Sequence, residues 1–201
     1  MTDRPRRTQA DRSATTRRAL VAAARTLFAE HGFADVGTER IAAAAGVTRG
    51  ALYHQFADKT ELFAAVVEQL EGQIMVRLAR LLGDVADADA VGLLLAGADA
   101  WLDASMEPVV QRIVLLDGPA VLGWERWREI GLRYGLGMVS TVLTEAMAKG
   151  TIPEQPVEPL AHALVGALDE AALYVARAPD PAAARRDMGP IVHRLVQGLA
   201  G

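Results

Sequence analysis

Apolar residues return every three or four positions along almost the whole chain, and nowhere do they alternate. Leu20, Ala23, Ala24, Leu27 and Phe28 set the pattern, because those positions share one face of a helix. This period excludes a sheet protein. Aromatics make up only 5% of the residues, and Ala, Leu and Val dominate, which also favours helix over strand. Glycine and proline cut the pattern into segments. The spacing predicts helices over 14–31, 39–45, 49–55, 59–82, 87–104, 108–116, 123–149, 157–177 and 181–199. Gly118-Pro119 and the Pro153, Pro156, Pro159 cluster are the clearest stops. Gly131, Gly135 and Gly137 sit inside one predicted helix, where each costs roughly 1 kcal/mol against Ala. Close packing, a bend, or room for a ligand would each explain them.

Charge is unevenly placed. The chain has net charge −4 and a pI near 5.6, yet residues 1–60 hold ten basic and six acidic side chains. The remainder holds eleven basic and nineteen acidic ones. A basic head on an acidic body points to a polyanion-binding segment. Residues 1–13 read as a flexible basic arm that either touches DNA or is simply solvated. The chain has no cysteine, so disulfides and thiolate metal sites are excluded. It has no long apolar run and no secretory signal, so no membrane partner is expected and the cytoplasm is the expected location.

The segment "TERIAAAAGVTRGALYHQFADK" carries the chemistry. Thr38 is placed to cap a short helix, Gly46 to supply the positive φ of a tight turn, and Thr48 to cap the next helix. With Leu52 and Phe56 facing inward and Val47 behind the turn, this is a helix-turn-helix pattern, whose second helix enters a major groove. Arg49, Gly50, Tyr53 and His54 are then left outside. Arg49 can fork onto guanine O6 and N7, and Ala51 can meet a thymine methyl. Thr48, Tyr53 and Lys59 are placed to hold phosphates, and Gly50 lets the backbone come close. Gln55 lies nearer the buried edge and is a weaker base reader. A polar surface helix would carry similar side chains without binding DNA.

Asp58, with Glu61 three residues on, forms a capping-box pattern at the start of the long fourth helix. The run "AARTLFAEHGFADVGTERIAAAAGVTRGALYHQFADKTELFAAVV" resembles the N-terminal domain of the TetR/AcrR family of transcriptional regulators. The resemblance rests on "LFAEHGF", on the threonine and "IA…AGV" of the first short helix, on "LYxxF", and on "KxELF". It implies an all-α fold: a three-helix helix-turn-helix domain over 14–58, then a larger helical ligand-binding and dimerisation domain over 59–201. It further implies a homodimer that binds double-stranded, palindromic DNA, most often as a repressor, and is released by a small-molecule inducer. Carried over, the usual DNA contacts fall on Thr38, Thr48, Arg49, Gly50, Ala51, Tyr53, His54 and Lys59. One departure is Gln55, where many members have His or an aromatic residue; here His54 comes one position earlier.

In the body, Trp101, Met106, Arg112, Trp124, Trp127, Tyr134, Met138 and Asp169 are the candidate ligand-binding residues. The aromatic and Met stripe suits a core as well as a pocket, and Arg112 and Asp169 are either ligand anchors or paired structural charges. Apolar faces over Leu160, Leu164, Leu168, Ile191, Leu195 and Leu199 suit a dimer interface under the resemblance, or equally a monomer core. His162 and His193 are expected at that interface or on the surface. Glu158 and His162 sit one helical turn apart, too few ligands to favour a metal. No cofactor is expected. No cysteine nucleophile, HExxH helix or glycine-rich phosphate loop is present, so an enzyme is not expected. The alternative is a DNA-binding regulator that takes no inducer.

Overall fold

A computed structural model describes residues 9–84 and 89–200. It contains ten α-helices among the described residues: α1 Gln9–His31, α2 Thr38–Ala44, α3 Arg49–Gln55, α4 Lys59–Asp84, α5 Ala90–Ala104, α6 Pro108–Val110, α7 Gly118–Leu122, α8 Trp124–Ala148, α9 Val157–Arg177 and α10 Pro181–Gln197. A π-helical stretch, Gln111–Asp117, joins α6 to α7. The chain divides into two units, Met1–Val67 and Glu68–Gly201, and the division falls within α4. The expected boundary at 58/59 thus gives way to one nine residues later, because the first turns of α4 complete the core of the head.

In that head, Leu20, Phe28, Ile41, Leu52, Leu62, Phe63 and Val66 are fully buried. Phe28, Phe33 and Phe63 form an aromatic cluster with ring centroids 5.1–5.6 Å apart, two of the three contacts edge-on. Gly32 and Gly46 both have positive φ, at 78° and 67°, and end α1 and the α2 turn. Thr48 Oγ1 accepts the N–H of Ala51 at 3.1 Å, and Asp58 Oδ1 accepts that of Glu61 at 2.8 Å, so both predicted caps form.

Four expectations change. Helix α1 begins at Gln9, so residues 9–13 of the expected arm are helical; residues 1–8 of that arm lie outside the described residues. Thr38 is not a cap: Gly37 holds that position without a side-chain bond, and the Thr38 hydroxyl meets Tyr53 Oη instead. Lys59 is turned inward. Its Nζ donates to the carbonyls of Phe33 and Val36, at 2.9 and 3.1 Å, and lies 4.0 Å from the centre of the Phe33 ring. The ammonium satisfies carbonyls left over after α1 ends, which occupies the charge that phosphate would otherwise take. Finally, α5 begins at Ala90 behind an Asp89 cap rather than at 87, and the start of the expected helix, 87–88, lies outside the described residues.

The second unit packs α8 on α9, α9 on α10, and α5 on both α8 and α10. Leu143, Ala146, Ile152, Ala161 and Val196 anchor one core cluster. Arg185 and His193 of α10 both bond to Asp99 of α5, at 3.0 and 2.8 Å, so His193 is tied within the unit. Gly118-Pro119 does not stop the helix as expected. The π turn before it widens the backbone, Pro119 falls in the first turn of α7 where its missing N–H costs nothing, and the stop comes at Gly123, φ 77°. The buried Trp127 ring explains Gly118. Its Nε1 donates to the Val114 carbonyl at 2.8 Å, and a Cβ on Gly118 would sit 2.8 Å from Trp127 Cδ1 and 3.2 Å from the Ile113 oxygen. Gly118→Ala should therefore destabilise the protein by about 1–3 kcal/mol through overpacking, read as a lowered denaturation midpoint at unchanged slope.

Candidate nucleic-acid interface and ligand cavity

Helix α3 is short, and two buried anchors orient it: Leu52 is fully buried and Phe56 nearly so. One turn away from Leu52, Arg49, Gly50, Tyr53 and His54 are exposed. The capping bond of Thr48 leaves its hydroxyl at the helix N-terminus, and Ala51 is half-buried beside it. Gly50 has no internal reason to be glycine. Its φ is negative, and a Cβ there would have only the Thr48 hydroxyl as a neighbour, 3.9 Å away.

A polar cluster ties the outer faces of α2 and α3 together. Thr38 and Tyr53 hydroxyls lie 3.3 Å apart, Arg49 donates to Tyr53 Oη at 3.5 Å, and Arg49 pairs with Glu39 at 2.5 Å. The hydrogen bond from Thr38, then that from Arg49, pulls the Tyr53 hydroxyl below its ordinary pKa. The bond to Tyr53 and the charge of Glu39 hold Arg49 still more firmly protonated. Glu39 thus neutralises the charge of exposed Arg49. The sequence pattern marked Glu39 only as a nearby acid, since its pairing is a matter of how two short helices cross. Gln55 is the clearest departure from a base-reading role. Its Nε2 donates to Ser13 Oγ at 2.9 Å, its carbonyl accepts from Arg17 at 3.2 Å, and Arg17 stacks on Phe56. It fastens α3 to α1.

The second unit contains a cavity of about 90 Å³. Met75 and Leu78 of α4, Leu94 of α5, Met138 and Val142 of α8 and Leu164 of α9 give it an apolar wall. Gly97, Gly131 and Gly135 also line it, and a Cβ at any of them would touch nothing within 4 Å. These glycines do not serve close helix packing; the side chains they omit leave space. Gly137 is exposed and does not line it.

Of the candidate ligand residues, Trp101, Met138 and Asp169 line this cavity. The others lie elsewhere. Trp127 is committed to the core beside Gly118, Trp124 is 58% exposed against it, and Arg112 is exposed and paired with Asp117. Met106 is half-buried off the cavity, and the Tyr134 ring packs where a Cβ on Gly72 would meet it at 3.4 Å. The predicted stripe on α8 therefore splits by helical turn, with Trp124 exposed, Trp127 in the core and Met138 alone on the cavity.

The expected dimer face splits too. Leu160, Leu164 and Leu199 pack partly buried on the Leu143 cluster, while Leu164 and Leu168 line the cavity. They turn inward because the opposite side of α9 faces out, where Tyr174 is 59% exposed. Ile191 and Leu195 of α10 are also exposed, at 45% and 56%.

The polar end of the cavity has a feature the sequence pattern did not single out. Glu71 of α4 is only 5% exposed and lines the cavity, and burial together with the Asp169 charge pushes its carboxyl up to about 8. Burial raises Asp169 to about 6, against the opposing pull of Arg128, which pairs with it across α8 and α9. Arg128 also reaches the His162 carbonyl at 3.5 Å. In sequence, Glu71 reads as one more charge on a long amphipathic helix, and only packing reveals its burial.

Comparison with known proteins agrees with this geometry. Residues 20–66 match the family described as "Bacterial regulatory proteins, tetR family", and residues 91–199 match "Tetracyclin repressor-like, C-terminal domain". A TetR-family transcriptional regulator from Pectobacterium atrosepticum has a crystal structure with TM-score 0.85 and 34% identity, covering 96% of this chain and 98% of that one. The chain is 26% identical to the transposon Tn10 TetC protein of Escherichia coli over 76% of each, and 37% identical to the regulator CymR of Pseudomonas putida over 56% of each, so it spans just over half of CymR. RolR, solved with resorcinol bound, shares the fold at TM-score 0.73 and 20% identity. The partners of regulators in this family are double-stranded DNA, small molecules and a second copy of their own chain. The chain belongs to the TetR family and is a helix-turn-helix, DNA-binding transcription regulator.

Proposed function

We propose that this chain is a homodimeric repressor that binds a palindromic operator through α3 and lets go when a small molecule fills the cavity of the second unit. What carries the reading is the outer face of α3, where Arg49, Gly50, Tyr53 and His54 are exposed over buried Leu52 and Phe56. Arg49 reads base edges once it leaves Glu39; Thr48, Tyr53 and Thr38 hold phosphate oxygens; Gly50 and Ala51 let the helix sit deep. Lys59 acts indirectly, by fixing the 33–36 loop beside the start of α4. The first unit serves DNA, and the second serves ligand and partner.

Two copies of α3 in successive grooves need half-site centres about 34–36 Å apart. The dimer face we assign is Tyr174, Ile191 and Leu195, three large apolar side chains left exposed on α9 and α10. Release works through α4. Glu71, Met75, Leu78 and Leu82 of that helix line the cavity, and its first turns belong to the head core, so a ligand that prefers one placement of α4 biases the spacing of the heads. Working on chromosomal DNA places the protein in the cytoplasm. RolR, which shares the fold, was solved with resorcinol as its ligand, and that supports a small-molecule ligand here.

Selection of a bound duplex from a random-sequence library, followed by fluorescence anisotropy, tests this reading. Arg49→Ala should cost roughly 1–3 kcal/mol on the selected duplex and relax preference at one base pair per half-site. Gly50→Met should keep or raise the melting temperature, since nothing packs there and glycine is poor in helices, yet weaken DNA binding at least tenfold. A variant with full affinity would remove α3 from the groove. Leu195→Glu should shift sedimentation from dimer to monomer, and an unchanged dimer would move the interface elsewhere.

A further inference from the structure

The cavity holds one feature that an apolar pocket does not need. Glu71 is almost wholly buried on its wall, and its carboxyl has no protein hydrogen-bond partner among the described residues. Among the described residues no buried side-chain oxygen is both sealed off and unbonded, so the Glu71 carboxyl keeps some surface open. Every other ionisable group that faces it can be named. From α9 comes Asp169, whose charge acts on it; Arg128 of α8 does not line the cavity and is committed to Asp169 and the His162 carbonyl. The α5 and α10 walls contribute no ionisable side chain. The cavity wall thus carries two carboxyls, and the guanidinium beside Asp169 is committed to it, so an added positive charge can pair with Glu71 while an added negative one finds no free cation among the described lining residues.

Building on the regulator reading above, we propose that the cavity ligand is a compact apolar cation, an ammonium group on a hydrocarbon or aromatic body, with Glu71 as its counter-ion. The body of the ligand occupies the Met75, Leu94 and Met138 wall, where Gly131 and Gly135 leave room. At neutral pH the empty cavity keeps Glu71 protonated, because burial and Asp169 both oppose its charge. An arriving cation reverses that balance. The carboxyl ionises, its proton passes to solvent, and the ammonium donates to the freed carboxylate, so binding is linked to release of one proton. Charge is conserved: a cation enters and a proton leaves. This arrangement selects against neutral molecules, which gain no ion pair, and against anions, which would meet the Asp169 carboxylate and no free cation among those residues.

The sign of the pH effect follows. Folded Glu71 holds its proton up to about 8, whereas the unfolded side chain loses it near the ordinary 4.5. The folded state therefore binds more protons between those values, and stability contributed by neutral Glu71 is present at low pH and lost as pH rises through 8. Cation affinity runs the other way and rises with pH over the same window, because less proton remains to be displaced.

The test is calorimetric titration of the dimer with three molecules of one shape: benzylammonium, benzyl alcohol and benzoate. Benzylammonium should bind tightest, with a tighter Kd at pH 8 than at pH 6, and titrations in two buffers of different ionisation enthalpy at pH 7 should show close to one proton released. Glu71→Gln should weaken benzylammonium about tenfold or more, abolish the proton release, and leave benzyl alcohol unaffected. Gly135→Leu should remove binding of all three by filling the space. Circular dichroism melts check that both variants fold, and Glu71→Gln should melt less pH-dependently than the parent. Tighter binding of benzyl alcohol or benzoate, no proton release, an unaffected Glu71→Gln, or no binding of benzylammonium at millimolar concentration would overturn the proposal. The selected-duplex assay keeps the two readings apart: DNA binding with no preference for the cation sinks only the ligand class, whereas absence of DNA binding sinks the regulator reading itself.

Discussion

One helix must satisfy two cores. Over its first turns α4 gives the head Leu62, Phe63 and Val66, all fully buried. Over its last turns it gives the second unit Ile74 and Leu78 for packing, and Glu71, Met75 and Leu82 for the cavity wall. A continuous helix contributes to both, and it is the element through which we propose the two are coupled. The Lys59 ammonium fixes the start of that helix to the 33–36 loop, and the Phe28, Phe33 and Phe63 rings wedge beneath it. The head is thus built around the element that the ligand cavity also borders.

Electrostatics divides the labour between the two units. In the head the informative charges are exposed and exchangeable. In the proposed function Arg49 trades Glu39 for a base edge, at little desolvation cost because both ends of that pair face water. In the second unit the informative charges are buried. Arg128 and Asp169 neutralise each other, and Glu71 remains neutral by keeping a proton. A buried carboxyl without a partner costs stability that an apolar residue would not, unless something supplies a counter-ion. The cation reading supplies one, and it explains why the same wall carries three glycines that no neighbour crowds.

Much of this was legible in the sequence, and what was not has a physical cause. The bounds of α3 and α9 came out as expected because strong local signals set them: the Thr48 cap and Phe56 in one case, the Pro156 entry and the proline after Ala178 in the other. Gly46 was legible because few residues other than glycine tolerate its φ. The π turn before Gly118 was not, since widening a helix around a distant Trp127 leaves no local mark. Lys59 was read as a phosphate contact and Gln55 as a weak base reader because their partners, Phe33 and Ser13, lie far back in the chain. Leu164 and Leu168 carry the same apolar periodicity whether they face a partner copy or a cavity. Glu71 is the clearest case, a charged letter on an amphipathic helix that only tertiary packing turns into a buried acid.

The account's central claim is that cavity and DNA face share one equilibrium through α4. Linkage tests it directly: the Kd of benzylammonium is measured on the free dimer and again on the dimer saturated with its selected duplex. The account predicts weaker benzylammonium binding in the DNA complex, by the same factor by which benzylammonium weakens the protein's grip on that duplex. Equal benzylammonium affinity with and without DNA would contradict it.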